Sequence, residues 1–140
     1  MADEGATMRE DAAVGTDTGA PDEEAVVDQT IIEQLASITD SEGFSVLGEL
    51  LSAFLAAVPV RLETLDRAVA GDDLGAVADQ AHALTGSAAS FGARGMAALC
   101  RELRVAAKDG DTENVARLAR AVHGEFAEVR AWLMAFRSAA

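Results

Sequence analysis

Apolar residues spaced by three and four positions recur along most of this chain, and this spacing restricts the possible folds more than any other feature. Such spacing places apolar side chains on one face of a helix, whereas a strand requires strict alternation. Only 4% of the residues are aromatic and alanine is the commonest residue, a composition that favours closely packed helices over sheets. We therefore predict an all-α fold. The longest apolar series consists of Phe44, Leu47, Leu51, Phe54, Val58, Leu62, Leu65 and Val69.

The periodic segments predict one short helix followed by four longer ones. The short helix is expected at 28–37, with four buried residues, Ile31, Ile32, Leu35 and Ile38. The longer helices are expected at 44–69, 73–91, 93–108 and 112–137. Pro59 lies inside the first of these, but the apolar series continues in phase beyond it, so we expect a kinked, continuous helix. Four such helices predict an antiparallel up-down-up-down four-helix bundle, with the short helix as an extra N-terminal element.

The beginning of the chain differs from the rest in charge and in pattern. Residues 1–28 hold nine acidic residues and one arginine, and they show no apolar periodicity. This composition is typical of disorder. We therefore divide the chain into a disordered acidic leader at 1–27, with no specific partner expected, and a single helical domain at 28–140.

Charge and composition also exclude several classes of function. A formal net charge of −13 argues against nucleic acids and anionic membranes as partners. The chain has no run of about 18 apolar residues and no secretory signal at its start, so we expect a cytoplasmic protein. The single cysteine, Cys100, excludes an internal disulfide and is expected in the core. The two histidines, His82 and His123, are far apart in sequence, so no metal site is expected.

His82 is the strongest candidate for chemistry. It lies one position off the inward stripe of its predicted helix, so we expect it to face solvent. Gly86, one turn away, costs about 1 kcal/mol relative to alanine, which suggests that another molecule comes close there. Imidazole is a nucleophile near neutral pH, so His82 is suited to carrying a group that a partner transfers. Its predicted neighbours on the outer face are all short side chains, namely Ala78, Asp79, Thr85, Gly86 and Ala89.

The segment His82-Ala83-Leu84-Thr85-Gly86-Ser87, followed by Gly92-Ala93 and Cys100, resembles the histidine-phosphotransfer (HPt) domain of bacterial phosphorelays. The pattern of that family reads His-x-Leu-Lys-Gly-Ser, then Gly-Ala. Residues 50–65 and 125–133 resemble the helices that flank this pattern, so the resemblance covers about 28–137. One residue departs from the pattern, since Thr85 stands where the family usually has lysine.

The resemblance implies a phosphoryl carrier rather than an enzyme. His82 would accept a phosphoryl group and pass it between aspartates of receiver domains, in response regulators and hybrid histidine kinases. The receiver would supply Mg²⁺ and the other catalytic groups, so we expect no cofactor or metal on this chain. We also expect a monomer. Residues expected to support the phosphoryl group are Thr85, Gly86, Arg104 and Lys108. Residues expected in partner docking are Ala78, Asp79, Ala89 and Arg101.

Four basic residues support this prediction, because they fall on one face of the predicted fourth helix: Arg94, Arg101, Arg104 and Lys108. Cations beside His82 would favour a doubly negative phosphoryl group. His123 lacks the cleared face and the sequence motif of His82, and we expect no role for it.

Two other functions remain open at this point. The first is a receiver-binding module, or a phosphate sink without productive relay. The replacement of the family's usual lysine by Thr85 supports this function, and the presence of His82 disfavours it. The dimerisation and phosphoacceptor part of a histidine kinase is disfavoured, because no ATP-binding region follows and the helices suffice to close a bundle.

Overall fold

The computed structural model describes residues 26–139, and it folds them into five α-helices. Within that range there is no β-strand, only an isolated bridge between Thr39 and Ser45. The predicted all-α class is therefore confirmed, and the predicted helix boundaries agree with the observed ones to within three residues. The helices are α1 (Gln29–Ala36), α2 (Leu47–Ala70), α3 (Leu74–Ser90), α4 (Arg94–Lys108) and α5 (Thr112–Ala139).

Short polar connections separate the four long helices. Asp73 Oδ1 accepts a hydrogen bond from the backbone N–H of Ala76, at 3.1 Å, and so caps the start of α3. Asp111 accepts one from Asn114 at the start of α5 in the same way, also at 3.1 Å. Gly92 has a φ of 72°, a left-handed conformation that suits glycine and ends α3. By contrast, α2 continues through Pro59 without a break, as its apolar series predicts.

The helices α3, α4 and α5 each pack against the long helix before them, and α5 also packs against α2. The side chains between them form one apolar core, to which Ile32 of α1 and Val27 also contribute. Alanines occupy many buried positions on α3 and α4, which allows these two helices to approach closely. The residues with the largest fully buried side chains are Ile32, Leu51, Leu65, Leu84, Met96, Leu103, Leu118 and Leu133.

Two residues that the apolar pattern assigned to the core are exposed. Phe44 is 67% exposed and Ile38 is 48% exposed, so both predictions were wrong. The reason is the position of the helix ends, because α1 stops at Ala36 and α2 starts at Leu47. Asp40 closes the turn between them by accepting hydrogen bonds from the N–H groups of Glu42 and Phe44. Helical spacing does not determine which side chains are buried outside a helix.

The division into an acidic leader and a helical domain stays a prediction. Residues 1–25 lie outside the described residues, so the predicted disorder of the leader is not tested. Val26 and Val27, which the prediction assigned to the leader, pack on the bundle, and Val27 is only 2% exposed. Among the helices that the structure describes, none is long and apolar enough to cross a membrane.

Candidate functional site

The imidazole of His82 lies on the exposed side of α3, as the sequence predicts. The inward side of the helix is apolar and buried, through Val77, Ala81, Leu84 and Ala88. Because this stripe fixes the rotation of α3 on the core, the next position round the helix faces solvent. The exposure of His82 therefore follows from burial of its neighbours rather than from the histidine itself.

His82 lines an open pocket of about 430 Å³ between α3 and α4. Arg104 and Lys108 reach the same pocket from α4, and Asp79 lines it one turn before the histidine. Two cations and one carboxylate thus share a small volume with a nucleophilic ring. The structure therefore brings His82, Arg104 and Lys108 together in one pocket, which is suited to an anion held against the ring, and their roles stay predictions.

Three lining residues of this pocket were missed by the sequence analysis: Leu74, Gly75 and Ala107. Their spacing could have revealed them. Leu74 and Gly75 lie two turns before His82, and Ala107 lies one turn after Arg104, so each shares a helix side with a residue that was singled out. All three are uncharged, and they line the pocket together with the charged groups.

The other side of His82 is open. Gly86 is exposed, and a Cβ added to it would have no heavy atom within 4 Å. Ala89, one turn further, is exposed as well. Thr85 is half-buried, and its hydroxyl donates a hydrogen bond to the carbonyl of Ala81 at 2.8 Å. In this conformation the Thr85 hydroxyl is therefore not directed as a donor towards the pocket.

Ala78 does not lie on the outer face where the sequence analysis placed it. It is only 9% exposed and forms part of the pocket wall. The prediction used a single inward stripe, whereas α3 packs against both α2 and α4 and therefore buries a wider arc. Asp79 and Arg101, two other residues predicted for docking, are exposed.

The four bases predicted to lie on one face of α4 do not all share the same surroundings in the structure. Arg101 is exposed, while Arg104 and Lys108 line the pocket with His82. Arg94, at the first position of α4, instead pairs with the buried carboxylate of Asp28, with Nη2 and Oδ2 2.5 Å apart. Arg94 therefore joins the start of α4 to the residue that precedes α1.

The remaining histidine and the cysteine lie away from the pocket. His123 Nε2 on α5 is 2.8 Å from Asp66 Oδ1 on α2. Cys100 is buried in the core, as predicted, and this burial raises the pKa of its thiol to about 12, with a smaller opposing effect of Arg101. The thiol is therefore protonated near neutral pH and is a poor nucleophile.

Comparison with known proteins agrees with this geometry. Residues 49–132, more than half of the chain, match the family model of the Hpt domain. A stretch of 79 residues is 37% identical to the phosphorelay protein LuxU of Vibrio vulnificus strain YJ016, over 56% of this chain and 69% of LuxU. The same values hold for LuxU of strain CMCP6.

A solved structure is similar as well. The crystal structure of histidine-containing phosphotransfer protein B (HptB) from Pseudomonas aeruginosa PAO1 superposes with a TM-score of 0.76. The alignment covers 84% of this chain and 99% of the HptB chain, at 25% sequence identity.

Proposed function

The chain belongs to the Hpt domain family, and we propose that His82 is the residue that carries its phosphoryl group. It is a phosphorelay protein that passes this group between receiver domains. One observation supports this assignment above the others. His82 is an exposed imidazole that shares a pocket with Arg104 and Lys108, while Gly86 leaves the adjacent surface open.

The proposed reaction is a reversible exchange between two nucleophiles. The unprotonated ring nitrogen of His82 attacks the phosphorus of an aspartyl phosphate on the receiver. A P–N bond forms, the P–O bond breaks, and the aspartate leaves as a carboxylate. The receiver's Mg²⁺ would stabilise the charge of the transferring group. This chain is a carrier rather than an enzyme, so its own residues position the ring and adjust the charge around it.

Two cations in the pocket would take the place of the lysine that the family usually has at the position of Thr85. Phosphoryl transfer brings nearly two negative charges to the pocket, where Asp79 already contributes one. Thr85 donates its hydroxyl to Ala81 instead. Arg104 and Lys108 are therefore the cations that would offset the phosphoryl charge, from the neighbouring helix rather than from α3.

The receiver would dock over the open part of this face. Asp79, Ala89 and Arg101 are exposed around His82 and would contact the partner, whereas Ala78 would contribute as part of the pocket wall. A small surround lets a receiver bring its aspartate within bonding distance of the ring. Gly86 fits this role, because its missing side chain leaves the partner's backbone room to approach.

We further propose that the four long helices form an antiparallel up-down-up-down bundle, with α1 at one end. Connections of three residues between consecutive long helices and the return of α5 to α2 support this arrangement. A monomer in the cytoplasm, without a cofactor of its own, would suffice for the carrier role.

Labelled transfer tests the assignment. A receiver phosphorylated with radioactive label should pass that label to the wild-type chain, in a bond that is labile to acid and stable to alkali. His82→Gln should abolish this label while retaining the helical circular dichroism spectrum, because the site is exposed. His123→Gln is the matched control and should accept the label normally. Transfer that persists in His82→Gln would refute the assignment.

A second receiver distinguishes a relay from a phosphate sink. When an unphosphorylated receiver is added to the labelled chain, the label should move onto it. Label that stays on His82 until it hydrolyses would instead support the sink.

A further inference from the structure

The first described residues of the chain lie next to the start of α4. Val27 is buried in the core, and the backbone N–H of Asp28 donates to the carbonyl of Gly92 at 2.8 Å. The carboxylate of Asp28 pairs with Arg94 at the start of α4. A Cβ on Gly92 would lie 3.0 Å from Asp28, which shows how closely the two segments approach. The described part of the chain therefore begins beside the α3–α4 connection.

The side of α4 beyond this attachment is positively charged. Arg101, Arg104 and Lys108, which we call the basic side of α4, follow Arg94 at helical spacing. Glu102 is the one acidic residue in α4. Within residues 26–137, none of the three bases forms an ion pair or hydrogen bond with another side chain. An anionic partner can therefore bind them without first breaking a side-chain pair within residues 26–137.

The acidic segment has the charge and the length to bind this side. Residues 1–25 carry eight carboxylates and a single arginine, Arg9, in a chain whose bases are few. Four of the carboxylates, Asp17, Asp22, Glu23 and Glu24, lie within nine residues of Val26. From Arg94 to Lys108 the helix rises about 21 Å, and nine extended residues span up to about 30 Å. Asp17, nine residues from Val26, can thus reach as far as Lys108, whereas the nearer carboxylates can reach only the bases closer to Arg94.

We propose that the acidic segment, residues 1–25, docks on the basic side of α4 of its own chain and competes there with the receiver and with the phosphoryl group. Tethering favours this contact, because an attached segment is present at high effective concentration. Arg104 and Lys108 line the His82 pocket, so an occupied basic side lowers the positive potential available for transfer. The competition rests on the proposed function, whereas the docking does not.

Full-length variants test the two parts separately. The leader variant replaces Asp17, Asp22, Glu23 and Glu24 with the corresponding amides. A matched control replaces four exposed carboxylates of the bundle in the same way: Glu33, Glu42, Glu63 and Glu128. Both variants lose four negative charges, so a general effect of net charge would be equal in the two.

Docking is measured by NMR at low salt, through the backbone and side-chain resonances of Arg101, Arg104 and Lys108. The leader variant should shift these resonances relative to wild type, the control should not, and high salt should remove the difference. Unchanged resonances in the leader variant would overturn the docking, whatever the outcome of any transfer assay.

Competition is measured by the rate of transfer from a labelled receiver. The leader variant should accept the label several-fold faster than wild type at low salt, and the control should match wild type. Equal rates in the leader variant and wild type would overturn the competition. Absence of transfer in the wild-type chain itself would count against the proposed function, and the NMR measurement would still decide the docking.

Discussion

The carboxylate of Asp28 and the guanidinium of Arg94 form an ion pair between the start of α1 and the start of α4, with Oδ2 and Nη2 2.5 Å apart. The Asp28 side chain is 6% exposed and that of Arg94 is 55% exposed. Asp28 also caps α1, because its Oδ1 accepts a hydrogen bond from the N–H of Thr30. One buried carboxylate thus starts a helix and joins it to a segment 66 residues away.

Loss of Arg94 is therefore expected to destabilise the fold. Arg94→Met leaves the Asp28 carboxylate buried without its cation, at a cost of about 1 to 3 kcal/mol in the free energy of unfolding. Asp28→Asn retains a good capping residue and should cost less. In the double variant the two losses should not add, because the pair is already broken. Urea unfolding of the three variants measures this coupling, and strictly additive losses would contradict it.

Substitutions at Gly86 test whether phosphoryl transfer requires the open space beside His82. Gly86→Ala should raise the free energy of unfolding by about 0.5 to 1 kcal/mol, because alanine is the better helix former and its Cβ meets no neighbour. Gly86→Leu should fold normally but slow transfer, since its side chain would obstruct the docking receiver. Gly124→Leu on α5 is the matched control, because Gly124 is also exposed and without neighbours. Equal transfer rates in the two leucine variants would exclude a clearance role.

Arg104 and Lys108 are expected to stabilise the phosphorylated state. Replacing both with alanine should shift the transfer equilibrium several-fold towards the phosphorylated receiver, because two cations near the phosphoryl group are lost. The shift should shrink at high salt, and Thr85→Lys should partly restore the equilibrium. The control replaces Arg120 and Arg130, two exposed bases of α5, and should leave the equilibrium unchanged. An equal shift in both double variants would indicate an effect of net charge alone.

Cys100 should make stability depend on alkaline pH. In the folded state burial raises the pKa of its thiol from 9.0 to about 12. Between these values the unfolded chain loses a proton that the folded chain retains, so the stabilising contribution is complete below pH 9 and falls as pH rises towards 12. Cys100→Ala should remove this part of the pH dependence. Urea unfolding at several pH values gives the difference in slope, and parallel slopes would contradict the prediction.

Direct titration of the thiol provides a second measurement. The chain contains no tyrosine, so the ultraviolet absorbance of the thiolate is not obscured by tyrosinate. Ionisation should occur near pH 9 in urea and remain suppressed at that pH in the folded protein. A folded thiol that ionises near pH 9 would contradict the burial effect.

Much of this protein was determined by local sequence. Apolar spacing located all five helices, because a helix that must bury one face repeats that face every three to four residues. The same spacing predicted that α2 would continue through Pro59 and that His82 would face solvent. Gly92 and Asp73 lie at helix ends for local reasons as well, because the Asp73 side chain caps the backbone of α3 and glycine adopts the left-handed conformation that ends it. These features depend on a few neighbouring residues and can be read from the chain alone.

The tertiary structure decided which residues from different helices meet. Sequence suggested that Arg104 and Lys108 lie near His82, but only the packing of α3 against α4 placed them in one pocket and buried Ala78 in its wall. The separation of Arg94 from the other bases required Asp28, 66 residues earlier, to reach the start of α4. Likewise, Phe44 is exposed because a turn, rather than a helix, surrounds it. Contacts of this kind depend on helix rotation and on chain segments far apart in sequence, which a local pattern does not encode.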